Sequence, residues 1–243
     1  MFLSVVTGSF IQFIIISVLI IFHELGHFLI AKILNIEVDK IYFYPLGGIS
    51  KFNLQYNEKF IKELLIIISG PIAQHLTSIL LVFLMPKYTQ LIQNYHVGIL
   101  MFNLLPIVPL DGGKLLTLFL TKIFPFKRSI QLSIKLAYAT LIILLMININ
   151  TLKLNSILLL IFLFVKIKKE STKTPYIYEK FLLERYLNDY KFKKIKLISN
   201  SGNFYKHKRH IIKENGLYFL ENEYLKKKYK KNKKNVDNTN SLC

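Results

Sequence analysis

Residues 14–34 read IIISVLIIFHELGHFLIAKIL, and the meaning of this stretch decides the fold. It is an apolar run of the length a membrane helix needs, about 20 residues. Yet it carries His23, Glu24 and His27. Ionisable groups inside a lipid-spanning helix are costly and mark function. On a helix, His23 and His27 stand four apart and project from one face, a spacing at which two neutral imidazoles bind one zinc ion. Glu24 lies one step round, placed to take a proton from a water at the metal without being a ligand. Two histidines hydrogen-bonding a neighbouring helix would be the plainer reading.

Outward from this stretch the chain stays apolar and then turns basic. Of its 243 residues 52% are hydrophobic and the mean hydropathy is +0.38, too apolar for a soluble domain of this length. Residues 1–165 carry twelve Lys and Arg against six Asp and Glu; residues 166–243 carry twenty-one against eight. Attraction to a membrane surface explains the basic tail more simply than nucleic acid does, so the lipid bilayer is an expected partner and nucleic acid is not. The single cysteine, Cys243, allows neither an internal disulfide nor a cysteine metal site.

The pattern predicts an α-helical integral membrane protein with about five transmembrane helices. They are expected over 1–34, 60–85, 97–123, 130–149 and 154–165. Between the first two, IEVDKIYFYPLGGISKFNLQ (36–55) is β-branched, aromatic and broken by Pro45, Gly47 and Gly48. It predicts a membrane-associated β-hairpin or re-entrant loop, whose open edge could take an extended peptide. Gly70-Pro71 interrupts the second span, and Gln74 and His75 follow within a turn. His75 is expected to hydrogen-bond another helix or to support the site from a second layer. Residues 86–95 read as a polar connection.

The third span contains NLLPIVPLDGG, Asn103 to Gly113, which cannot be regular helix. Broken backbone at membrane depth is tolerated where it is buried in protein or lines a wet cavity. Asp111 lies in that break. After residue 165 a small C-terminal α/β tail is expected, with a helix near 178–190, a strand near 194–198 and a basic patch at 207–210. The run KKKYKKNKKN (226–235) reads as disordered. The expected domains are therefore a transmembrane core, 1–168, a cytoplasmic tail, 169–225, and a basic disordered end, 226–243.

Basic residues orient the chain. If the first span starts outside, the inner segments 32–62, 121–135 and the tail hold five, four and twenty-one Lys and Arg, and the outer ones hold only Lys87 and Lys153. This predicts a multi-pass cell-membrane protein with a cytoplasmic tail. It also brings HELGH and LDGG to similar depth, where they can meet. A catalytic zinc site uses three protein ligands, and Asp111 is the expected third; a helix-capping aspartate is the alternative. A membrane metal transporter or an inactive membrane scaffold would also carry such residues. The clustering of polar groups at one depth disfavours a transport path, and the intact His-Glu-His-Asp set disfavours a scaffold.

HELGH in a span, a Gly-Gly loop after it, Gly-Pro in the next span and FNLLPIVPLDGG (102–113) together resemble the site-2 protease family of intramembrane zinc peptidases. GPIAQH (70–75) and FLLERY (181–186) are similar to its sporulation branch in particular, and the resemblance covers residues 5–222. It implies one zinc ion per chain on His23, His27 and Asp111, with Glu24 as catalytic base. It implies that Asn103 holds substrate or the developing oxyanion. It further implies regulated cleavage of a membrane-associated or membrane-spanning protein, such as a sporulation sigma-factor precursor, and an inhibitory membrane-protein partner. The tail reads as shorter than the nucleotide-binding domain of that branch, so regulation by nucleotide is not expected.

Overall fold

A computed structural model describes residues 10–36, 38–44, 47–52, 56–149, 154–188, 190–192, 194–199, 201–214 and 216–240; for 38–44, 47–52, 148, 201 and 231–240 it describes backbone only. The first nine residues of the expected first span, Pro45 of the expected hairpin or re-entrant loop, and Lys153 lie outside these. The chain divides into two compact units, 1–54 with 58–115, and 55–57 with 116–243.

In the first unit, helix α1 (Phe10–Ile33) is the motif-bearing span. It ends because Asn35 takes a left-handed turn (φ 55°), from which the Ile36 N–H donates back to the Ala31 carbonyl at 2.9 Å. Strands β1 (Val38–Tyr44) and β2 (Gly47–Phe52) form the expected antiparallel hairpin, which lies against α1. Gly47 and Gly48 are strand residues, paired with Tyr44 and Phe43.

Helix α2 (Phe60–Leu84) runs through Pro71. The buried face of α1 is a stripe at helical spacing: Ile15, Leu19, His23, Gly26, His27 and Ala31. Its apolar ends close against Ile92 on one side and Ile36 and Ile66 on the other. The two histidines occupy the middle of this packed seam.

A short 3-10 turn (Pro86–Tyr88) leads into α3 (Thr89–Asn103), so most of the expected connection over 86–95 is helix. The break predicted in NLLPIVPLDGG is present: α3 stops at Asn103 and α4 (Asp111–Ile123) restarts at Asp111. Gly112 and Gly113 pack so tightly on this loop that an added Cβ would lie 2.1 Å from the Leu104 oxygen and 2.4 Å from the Ile107 carbonyl carbon. The Gly-Gly pair lets the loop fold back over the first turn of α4.

The second unit contains α5 (Phe126–Asn148) and α6 (Leu154–Leu187), a 34-residue helix. The expected fifth span and the expected tail helix are therefore one element, and the domain boundary expected at residue 168 falls inside it. The charges from Lys166 onward change the helix's surroundings but are good helix formers, and Pro175 does not end it.

Among the described residues, three helices are long and apolar enough to cross a membrane, Phe10–Ile33, Phe60–Leu84 and Phe126–Ile147. The other two expected spans are a pair of short helices and the first dozen residues of α6. Apolar side chains face outward from these helices; Phe83 is 82% exposed. Such a surface fits lipid and not water.

Strands β3 (Ile195–Ile198), β4 (Arg209–Glu214) and β5 (Leu217–Leu220) form a sheet in that order, parallel then antiparallel. Helix α7 (Glu221–Asn240) continues through the basic run expected to be a disordered end. Lysine is a good helix former, and Glu221 and Glu223 in the first turn favour the helix start. The core holds Phe126, Tyr178, Phe181, Leu182, Ile198, Phe204, Ile212 and Leu225.

FLLERY lies in this core. All five N–H groups of the buried Arg185 are used: one on Asn57 Oδ1 (2.8 Å), one on Glu221 Oε1 (2.7 Å) and three on the carbonyls of Lys208, Tyr205 and Lys206. Glu221 Oε2 also accepts from His210 Nδ1 at 2.9 Å. A fully satisfied buried network of this kind specifies one packing of helix on sheet.

Candidate metal centre

His23 and His27 point from the buried seam of α1, and Asp111 comes from the first turn of α4. The spans that carry HELGH and LDGG do meet. Asp111 Oδ2 lies 3.0 Å from His23 Nε2 and 3.0 Å from His27 Nε2, and the two Nε2 atoms are 3.2 Å apart. All three residues are buried.

The outer sides of the two rings decide what these inner atoms carry. His27 Nδ1 lies 2.7 Å from the Ile66 carbonyl, which can only accept, so Nδ1 holds the proton. His23 Nδ1 lies 3.0 Å from Gln74 Oε1, likewise an acceptor. Both Nε2 atoms therefore present lone pairs, to each other and to a carboxylate oxygen. Three bare donors so close in a buried site repel one another unless a cation lies among them. For tetrahedral zinc with bonds of about 2.0 Å, neighbouring ligand atoms stand about 3.3 Å apart. The donor set and its spacing fit that ion. Lys114 Nζ binds Asp111 Oδ1 at 2.9 Å, which turns Oδ2 toward the histidines.

Backbone makes the room. An added Cβ on Gly70 would lie 2.3 Å from His27 Nε2, and one on Gly26 would lie 2.5 Å from the Ser69 oxygen. Small residues let α1 and α2 approach closely and let the His27 ring lie on bare helix.

The other residues that the sequence singles out are less central. Glu24 is half-buried on α1 beside His23. Asn103 is half-buried at the end of α3 and, among the described residues, forms no hydrogen bond to the cluster. His75 is exposed, and its Nδ1 lies 3.2 Å from His96 Nε2, an interhelical hydrogen bond of the kind expected for it. Gly70 and Gln74, noted in the sequence only as neighbours of Pro71 and His75, belong to the site, and so does His96, which the sequence does not single out. For Gln74 the available signal is an uncharged amide in the second span.

Comparison with known proteins adds an independent line. The model of Peptidase family M50 matches residues 11–97. Stage IV sporulation protein FB of Bacillus subtilis (strain 168) is 31% identical over 193 residues, 76% of this chain and 67% of that protein. A zinc metalloprotease of Methanocaldococcus jannaschii is 29% identical over 155 residues, 58% of this chain and 44% of that protein. Among solved structures, a site-2 protease from Methanocaldococcus jannaschii matches with a TM-score of 0.57 and 26% identity, over 70% of this chain and 82% of that one.

Proposed function

The chain belongs to peptidase family M50, the site-2 proteases, and from that premise we propose that it is an intramembrane zinc endopeptidase whose ion is held by His23, His27 and Asp111. The metalloprotease class comes with the family. The ligand assignment is carried by the convergence of two imidazole lone pairs and a carboxylate oxygen. When bound there, zinc supplies a Lewis acid and lowers the pKa of water toward neutrality.

Glu24 removes a proton from the attacking water, whose oxygen bonds to the scissile carbonyl carbon. Asn103 donates its amide N–H to the oxyanion that forms. As the C–N bond breaks, Glu24 returns the proton to the leaving amine. The substrate is a membrane-associated or membrane-spanning protein, unwound so that its carbonyls are exposed. The β1–β2 edge offers a strand-like seat for it. The similarity to stage IV sporulation protein FB supports sporulation as the setting and a membrane-tethered sigma-factor precursor as the first substrate to try. An inhibitory membrane protein would complete such a system.

The test is co-expression of tagged, membrane-tethered precursors with the wild-type chain and with Glu24→Gln. Removing a general base costs about 10²–10⁴-fold in rate. The variant should keep its zinc and accumulate uncut substrate. Cleavage at the wild-type rate by a zinc-loaded Glu24→Gln protein would refute the mechanism.

A further inference from the structure

The carboxamide of Gln74 has only one consistent orientation. Toward α3, its Nε2 lies 3.0 Å from the His96 backbone oxygen and 3.1 Å from His96 Nδ1. A carbonyl only accepts, so the amide nitrogen must face it, and Oε1 must face α1. Oε1 then stands 3.0 Å from His23 Nδ1 and compels that nitrogen to carry the proton. The His23 lone pair is thereby assigned to Nε2, the atom that meets Asp111. The same logic runs outward. His96 Nδ1 accepts the second amide hydrogen, so His96 holds its proton on Nε2 and donates it to His75 Nδ1.

We propose that Gln74 is a positioning residue of the metal centre: anchored by the His96 carbonyl, it fixes the ring orientation and tautomer in which His23 offers Nε2 to the ion. This rests on reading His23, His27 and Asp111 as the ligands. His27 has its counterpart in the Ile66 carbonyl, which no substitution removes; His23 depends on a side chain. Gln74 is fully buried, so water is poorly placed to replace its oxygen. Partners of a ligand's second ring nitrogen typically contribute about 10–100-fold in metal affinity.

The experiment measures zinc affinity by chelator competition on the full chain in detergent, together with the visible spectrum of the cobalt-loaded protein. Gln74→Met keeps length and removes the acceptor; it should bind zinc about 10–100-fold more weakly and shift the cobalt spectrum. Gln74→Glu, as the neutral acid whose O–H donates to the His96 carbonyl, keeps both the anchor and an oxygen toward His23 and should restore both. Asp111→Asn tests the premise separately, and equal zinc binding in wild type and Asp111→Asn would overturn the ligand set itself. With that set upheld, wild-type affinity and spectrum in Gln74→Met would overturn the role of Gln74. Should Gln74→Met fail to fold, Gln74→Glu decides: affinity near wild type supports the role, and loss as severe as in Asp111→Asn refutes it.

Discussion

Gly70 has no side chain because the ring of His27 lies where one would be. Gly70→Ala should therefore push His27 off its position; forced packing of this size costs about 1–3 kcal/mol. Zinc content and cleavage should both fall, by about tenfold or more. Gly98→Ala, where nothing lies within 4 Å of the new methyl, is the matched control and should change neither. At this scale much is legible in the sequence. Two histidines four apart and an aspartate in a glycine-rich break are costly in a membrane, and cost is visible in a sequence. Gln74 is harder to find because His75, its neighbour, looks more like chemistry. Adjacent helical residues point about 100° apart, so only one of the two can reach α1. No periodicity in the apolar flank says which. Lys114 and the Ile66 carbonyl are equally silent, since their roles depend on contacts across the fold.

Among the elements, the sheet and its two helices make a unit with its own acid sensitivity. Burial, then the positive charges of Lys206, Arg185 and Lys122, press His207 down to about 4. Burial also lowers His210, only partly offset by its bond to Glu221. Burial alone would raise Glu221, but the His210 hydrogen bond and the Arg185 charge outweigh it and leave it lowered. All three bind protons less readily folded than unfolded, where a histidine titrates near 6.5. The contribution of the two histidines to stability is thus present above about pH 6.5 and is lost as the pH falls toward 4, whereas that of Glu221 is lost only below the ordinary carboxylate value of about 4.3. Thermal melting followed by tyrosine fluorescence should show this fall, and His207→Gln should flatten it. Greater stability at pH 4.5 than at pH 7 would contradict the argument. The hairpin, α2 and the broken third span are readable from β-branching, length and proline. The join inside α6 is not: a change from apolar to charged residues marks a change of solvent, which is not the same as the end of a helix.

For the whole molecule, the distribution of basic residues predicts that the tail faces the cytoplasm. A reporter active only outside the cytoplasm, fused after Cys243, should be silent, whereas strong activity would reverse the orientation. The number of spans is the least legible feature, because composition counts apolar runs and cannot see that one is bent into two helices and another merges with its neighbour.

Helix α6 also carries a constraint of phase. Its buried residues Leu163, Ile167, Thr174, Tyr178, Phe181, Leu182, Glu184 and Arg185 lie on one side of the helix along its length. Each residue removed from a helix turns all that follow by about 100°. Deleting Thr172 would leave composition almost untouched, yet aim Phe181 and Arg185 away from the partners they now meet. The lesion is a frameshift in angle, and the sheet should then lose its cooperative melt. Length along α6 is in this sense a code with a period, and the chain can be edited there only in whole turns.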